Sequence, residues 1–300
     1  MTEFQGVFPA IITPMTPQGA FNEEAFRQVM EFNIRAGVHG FWVAGGTGEC
    51  VLLTEEENNR IAEAAAQQAA GRAKIIMHVG ALTTAQAVRM AEHAASAGVD
   101  AICCVPPFFY PPSDDAIVGH YKAVASAADL PFFVYNWPRT TGTEISPELM
   151  ARLQAEIPQL AGLKHSALTF NNIRTFTDMG LACFTGNSAL MLPALTIGAV
   201  GCIDGPPNVA PELWVEIWNA YQAGDVARAQ KAQKRATRVS DLARRYGIHG
   251  FAKAVIGERL GIDCGSPRPP LPALTPEQRG EVLRQAAELG ILGAPVSSAD

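Results

Sequence analysis

The sequence is short of charge, of basic runs and of any segment fit for a membrane. Only 17% of its 300 residues are charged, the net charge is -6, and no more than two Lys or Arg stand in a row. That gives nucleic acid or an anionic membrane surface no obvious electrostatic foothold. No apolar run approaches the ~18 residues that a spanning helix needs. Met1-Thr2-Glu3-Phe4-Gln5 has an acid and neither a basic nor an apolar signal region, so an unprocessed cytoplasmic chain is expected. The six cysteines form no C-x-x-C pair and sit mostly in apolar runs, which suits small core residues in a reducing compartment. The six histidines make neither H-x-H nor H-E-x-x-H, so no metal site is expected. Gly45-Gly46-Thr47-Gly48 lacks the lysine of a P-loop and the spacing of a dinucleotide fingerprint, so no nucleotide cofactor is expected either. What remains is a small-molecule or protein partner.

What the chain does have is a large apolar fraction, 48%, arranged with a rhythm. Short apolar runs alternate with helical patterns at roughly thirty-residue intervals, the spacing of βα units. Eight strands are predicted: Val7-Ile12, Gly40-Ala44, Lys74-Val79, Ala101-Val105, Phe132-Tyr135, Leu160-Lys164, Ala182-Thr185 and Gly201-Ile203. Their near-continuous hydrophobicity suits strands covered on both faces. Helix starts are marked by capping boxes at Thr54 with Glu57 and Thr83 with Gln86, and by Ser146 ahead of Pro147. Gly37, Gly71 and Gly98 mark helix ends. The count favours a closed (β/α)₈ TIM barrel over an open doubly wound sheet. Residues 1–224 would form it. Residues 225–300 carry helical patterns over Val226-Tyr246, Gly250-Arg259 and Pro276-Leu289, a helical extension packed on the barrel, with 294–300 expected to fray.

In a TIM barrel, chemistry gathers at the C-terminal ends of the strands. Lys164 ends an otherwise apolar strand, and a lysine taken out of water tends toward the free amine, a nucleophile for carbonyl carbon. Tyr135 ends the preceding strand. At matching heights on adjacent strands the two would lie ~5 Å apart, close enough to share one substrate. The glycines of the Gly45-Gly46-Thr47-Gly48-Glu49 turn suit either a tight turn or a backbone cradle for an anion. Arg139 fits a solvated arginine better than a carboxylate partner. His165, one residue past the lysine, should face away from it as packing. Small and polar residues at Asn187-Ser188 and after Ile203 leave room for a ligand.

Taken together, Gly6-Val7-Phe8-Pro9-Ala10-Ile11-Ile12-Thr13-Pro14, Gly45-Gly46-Thr47-Gly48-Glu49, Pro107-Phe108-Phe109-Tyr110, Tyr135-Asn136-Trp137-Pro138, Gly162-Leu163-Lys164 and Gly198-Ala199-Val200-Gly201 with Asn208 resemble the dihydrodipicolinate synthase / N-acetylneuraminate lyase family along nearly the whole chain. The resemblance implies a class I, pyruvate-type aldolase: Lys164 forms a Schiff base with a 2-oxo acid and Tyr135 moves protons. Gly46 and Thr47 would hold the carboxylate and Ile203 would line the pyruvyl pocket. It also implies a homotetramer, a dimer of dimers whose aromatic loop, with Phe109 and Tyr110, reaches the neighbouring site.

The departures from that family bear on substrate. Synthases usually carry a hydroxyl residue at Gly46 and a tyrosine at Phe109, so their proton relay is cut here. The arginine that takes the aldehyde's carboxylate corresponds to Thr140, with Arg139 one residue off. Asn187-Ser188 replaces the acidic pair of the lyase branch. The expected function is therefore a lyase, aldolase or dehydratase on a 2-oxo acid of sugar-acid type. The alternatives are 4-hydroxy-tetrahydrodipicolinate synthase, from pyruvate and aspartate semialdehyde, and a catalytically silent 2-oxo acid sensor.

Overall fold

The computed structural model of the protein describes residues 3–293, so the fraying expected of 294–300 lies outside the described residues. Eight parallel strands form one sheet: β1 (Gly6–Pro9), β2 (Gly40–Val43), β3 (Lys74–His78), β4 (Ala101–Cys104), β5 (Phe132–Asn136), β6 (Leu160–His165), β7 (Ala182–Thr185) and β8 (Gly201–Asp204). Each neighbours the next in sequence, and β1 pairs with β8. The seam between β1 and β2 is closed by a parallel bridge between Ala10 and Trp42, with the Ile11 amide donating to the Trp42 carbonyl at 3.1 Å. The predicted TIM barrel is thus observed.

Strand edges differ from the sequence reading by at most three residues, and β7 matches at both ends. β1 ends at Pro9; the Ala10 and Ile11 amides still reach β8 and β2, and the predicted end at Ile12 is not reached because the Ile12 amide donates to Asn208 Oδ1 at 3.1 Å. β5, β6 and β8 each run one residue further, which brings Asn136, His165 and Asp204 into the sheet.

Two apolar layers hold this architecture. Alternate strand residues fill the barrel interior, with Phe8, Trp42, Ile76, Phe133, Phe184 and Ile203 in one cluster, and Phe8 meeting Phe184 edge to face at 5.1 Å. The opposite faces pack against the surrounding helices. Helix ends follow local chemistry: Thr54 and Glu57 make the predicted capping box, and Ser146 caps a helix with Pro147 at its first turn. At Thr83 the cap is single. Its hydroxyl accepts from the Gln86 amide, and the predicted reciprocal bond is not made. Gly37, Gly71 and Gly98 take left-handed φ values of +86°, +74° and +82° as the helices stop.

After β8 the chain is helical: Pro211–Gln222, Val226–Tyr246, Ile248–Leu260 and Pro276–Glu288. Val226–Tyr246 packs along Pro211–Gln222 and onto the turn Ser188–Leu190 beyond β7. Ile248–Leu260 starts two residues before the predicted Gly250, and this brings His249 over the barrel mouth. Among the described residues no helix is long and apolar enough to cross a membrane.

Candidate active site

The register of β5 on β6 sets Tyr135 directly beside Lys164. Their side chains meet as the sequence predicts: Lys164 Nζ donates to Tyr135 Oη at 3.2 Å. The ammonium also lies 4.3 Å from the centroid of the Tyr135 ring and 5.5 Å from that of Trp42. Lys164 is only 4% exposed and Tyr135 3%. Burial pulls the lysine pKa down to about 8, opposed first by the negative charge of Asp204. Burial likewise pushes the Tyr135 phenol well above its ordinary value, so it stays protonated and can donate. The imidazole of His78, edge-on to Tyr135, is held near 4 by burial and by Lys164, and adds no charge.

Both side chains open into a cavity of about 780 Å³ at the C-terminal end of the barrel. On one side lies the turn after β2. The Gly46 carbonyl accepts from the Glu49 amide at 3.1 Å and from His249 Nε2 at 2.9 Å. Among the described residues, the Gly46 and Thr47 amides and the Thr47 hydroxyl have no protein acceptor. They form a cradle of donors for a carboxylate. The conformation is forced on the chain, because Ala44 and Glu49 flank the glycines at left-handed φ values of 52° and 67°. Glu49 is the anchor. Its carboxylate is fully buried, paired with Lys253 Nζ at 2.6 Å, and accepts from the Arg268 amide at 2.7 Å.

Gly46 also has a packing reason to lack a side chain. Trp137 stacks on Tyr135 with centroids 5.4 Å apart and planes 9° from parallel, and a Cβ at Gly46 would lie 2.7 Å from the Trp137 ring. A side chain here, including the hydroxyl that the family resemblance leads one to expect, is therefore shut out by the indole. Gly46→Ser should lower kcat/KM by about 10²-fold, the cost of a displaced cradle. Trp137→Ala in the same chain should restore part of it, and steady-state kinetics of both variants would check this; an active single variant would sink the explanation.

The far wall is polar. Asn187, Ser166, Thr169, Glu144, Arg139 and Asp204 line it. His165 faces away from the cavity as predicted. Asn136 Nδ2 donates to its Nδ1 at 3.3 Å, so its Nε2–H donates to the Thr169 carbonyl at 3.0 Å and pins the loop Ser166–Thr169. Ile203 is fully buried below the cavity, in the barrel interior.

Arg139 is exposed, as expected of a solvated arginine, and it also lines the cavity, whereas Thr140 does not. The short helix Pro138–Thr141 turns the two in different directions. Phe109 and Tyr110 lie outside this cavity. They are 82% and 80% exposed and rim a separate apolar recess with Val51, Leu82 and Phe108.

Sequence reasoning missed Asp204, His249, Glu144 and the Glu49–Lys253 pair. Lys253 carried the signal that had marked Lys164, a lone lysine in an apolar run, Phe251-Ala252-Lys253-Ala254-Val255-Ile256. The others carry no local signature.

Comparison with known proteins agrees with this geometry. The dihydrodipicolinate synthetase family matches residues 3–289. An uncharacterized DapA-like lyase of Halobacterium salinarum is 37% identical over 96% of this chain and 94% of its own. A 4-hydroxy-tetrahydrodipicolinate synthase of Methanopyrus kandleri is 32% identical over 97% of this chain and 98% of its own. Among solved structures, sialic acid aldolase of Ruminococcus gnavus superposes with a TM-score of 0.92 at 27% identity, covering 96% of this chain and 97% of that one.

Proposed function

The chain belongs to the dihydrodipicolinate synthetase family, and from that premise we propose that it is a class I lyase in which Lys164 forms a Schiff base with a 2-oxo acid. The observation that carries this reading is the buried Lys164 Nζ, 3.2 Å from Tyr135 Oη and facing the unpaired Gly46 and Thr47 amides. The carboxylate of the 2-oxo acid sits on that cradle, which presents its keto carbon to the amine. The free amine adds to the carbonyl, and loss of water leaves an iminium. In the cleavage direction, the bond between C3 and C4 breaks as the C4 hydroxyl gives up its proton. The electron pair moves into the iminium to give an enamine, and an aldehyde departs. Protonation of C3 and addition of water then release pyruvate and the lysine. Tyr135, kept protonated by burial, exchanges these protons with substrate oxygens.

A sugar-acid-type substrate suits the polar far wall. Arg139 at the mouth favours a second reading, 4-hydroxy-tetrahydrodipicolinate synthase, because a guanidinium there can pair with the carboxylate of aspartate semialdehyde. A silent 2-oxo acid sensor is the third, and turnover of any substrate excludes it. No cofactor is needed for any step.

The division into a catalytic barrel, 1–224, and a helical extension, 225–300, is part of this reading, and Ala243, Arg244 and His249 of the extension line the cavity. The exposed Phe109, Tyr110, Leu82 and Val51 form an apolar face suited to a second copy, in keeping with a homo-oligomer built as a dimer of dimers in the cytoplasm. The substrate-binding roles of Ile203, Asn187 and Thr140 follow from the family likeness; that of Asn187 also has its position on the wall.

Borohydride trapping with pyruvate tests the central step. With a lysine pKa of about 8 the free amine increases as pH rises and levels off above that value. The rate of reductive trapping at Lys164 should therefore climb through pH 8 and then plateau. A profile still rising steeply at pH 10 would mean an ordinary exposed lysine, and no added mass on the Lys164 peptide would remove the mechanism.

A further inference from the structure

Asp204 is the acidic side chain at the end of β8, and it lines the same cavity as Lys164. Its carboxylate is held from two directions. Oδ2 accepts from the Ser188 amide at 2.9 Å and the Ser188 hydroxyl at 2.8 Å, and Oδ1 accepts from the Gly205 amide at 2.8 Å. Ser188 is fully buried and is fixed in turn, its carbonyl accepting from Trp214 Nε1 at 3.1 Å and from Gln233 Nε2 at 3.2 Å. The carboxylate is therefore preorganised rather than mobile.

A carboxylate offers about four acceptor sites. Three are taken by protein donors, two of them on Oδ2, so the unfilled site is on Oδ1, and the side chain is only half buried. We propose that Asp204 is a specificity-determining residue whose Oδ1 accepts a hydrogen bond from a hydroxyl on the aldehyde-derived half of the substrate. This rests on the Schiff-base reading above. The group is acceptor-only, so it demands a donor and repels a carboxylate at that place. Of the two donors available, an ammonium or a hydroxyl, the hydroxyl is the one that a sugar-acid-type substrate carries. Arg139 and Arg244 on the same cavity are exposed, so their pull on a distal carboxylate is screened by water, whereas Asp204 is the leading charge acting on Lys164 deeper in the site. A purely structural role, tying β8 to the Ser188 turn, is the competing explanation.

Deuterium exchange at C3 of pyruvate in heavy water, followed by condensation of pyruvate with a set of aldehydes, separates these. In the wild-type protein kcat/KM for glycolaldehyde and both glyceraldehyde enantiomers, the best of the three taken, should exceed that for propanal by about tenfold to a hundredfold, the worth of a hydrogen bond to a charged group. Succinic semialdehyde should fall below propanal. In Asp204→Asn the advantage of the hydroxylated aldehyde over propanal should shrink at least tenfold, while succinic semialdehyde gains relative to propanal. A wild-type enzyme indifferent to the hydroxyl overturns the proposal whatever the variant does, and so does exchange without condensation of any hydroxylated aldehyde. A variant that loses activity on all aldehydes by one common factor assigns Asp204 the structural role. Absence of pyruvate exchange in the wild type removes the Schiff-base reading and this one with it.

Discussion

Lys164→Met will abolish borohydride trapping of pyruvate and lower turnover by about 10⁴-fold or more, the size expected when a covalent nucleophile is removed. The reason lies in what the barrel does to this amine. Its neighbours are aromatic, with Tyr135 and Trp42 rings within 5.5 Å, and no carboxylate forms an ion pair with it among the described residues. Burial therefore sets the balance, and the folded state holds the lysine at about 8 against an ordinary 10.5. The folded protein thus binds fewer protons than the unfolded chain between those two values. Its stability should rise with pH across that window, and the penalty should be fully present below about pH 8.

Removing the amine removes the penalty. The methionine variant should melt no lower than wild type at neutral pH, and the lysine's contribution to the rise between pH 8 and 10.5 should disappear. Calorimetry at three pH values, beside peptide mass analysis after trapping, checks both halves. An adduct found on Lys253, the other buried lysine, would reassign the nucleophile.

Lys253→Met should lower the unfolding free energy by about 3–5 kcal/mol, because it strands a carboxylate in the interior. The Lys253 side chain is 2% exposed and that of Glu49 0%, so solvent screening offers little relief. Lys253 also donates to the Ser266 carbonyl at 3.0 Å, and the Glu49 carboxylate accepts from the Arg268 amide at 2.7 Å. The pair thus joins the β2 turn, the helix Ile248–Leu260 and the segment after it. Burial depresses the lysine pKa and Glu49 opposes that, as in a pair whose desolvation cost is large. Replacing both, with Glu49→Gln added, should recover part of the loss, and urea midpoints for the four proteins give the coupling directly.

A functional consequence follows from the position of Glu49. It holds a left-handed φ of 67° three residues after Gly46, so its release lets the donor cradle relax. KM for pyruvate should rise in Lys253→Met more than kcat falls. An unchanged urea midpoint would mean that the pair is neutral, and an unchanged KM that the turn stands without it.

How far the chain could be read ahead of its structure depended on the range of the interaction. Periodicity located the eight strands to within three residues, because whether a short run is buried on both faces is written in the run itself. Boundaries failed where a distant side chain competed for the backbone, as when Asn208 takes the Ile12 amide from β1. Helix caps were legible at Thr54 and Ser146 for the same local reason, and the second half of the Thr83 box was not, since Gln86 has other choices of rotamer.

The site divides in the same way. Sequence alone determined that Lys164 and Tyr135 end adjacent strands, and parallel pairing then leaves them little freedom but to meet. Tertiary structure alone decided which groups surround them. His249 reaches Gly46 across 203 residues, Lys253 reaches Glu49 from the helical extension, and Asp204 is locked by a serine on the neighbouring strand's turn. These contacts join loop to loop and helix to loop, where no repeating period fixes which side chains face one another. The barrel's own period supplied the nucleophile, and the packing of the extension over its mouth supplied the shape and charge of what that nucleophile can meet.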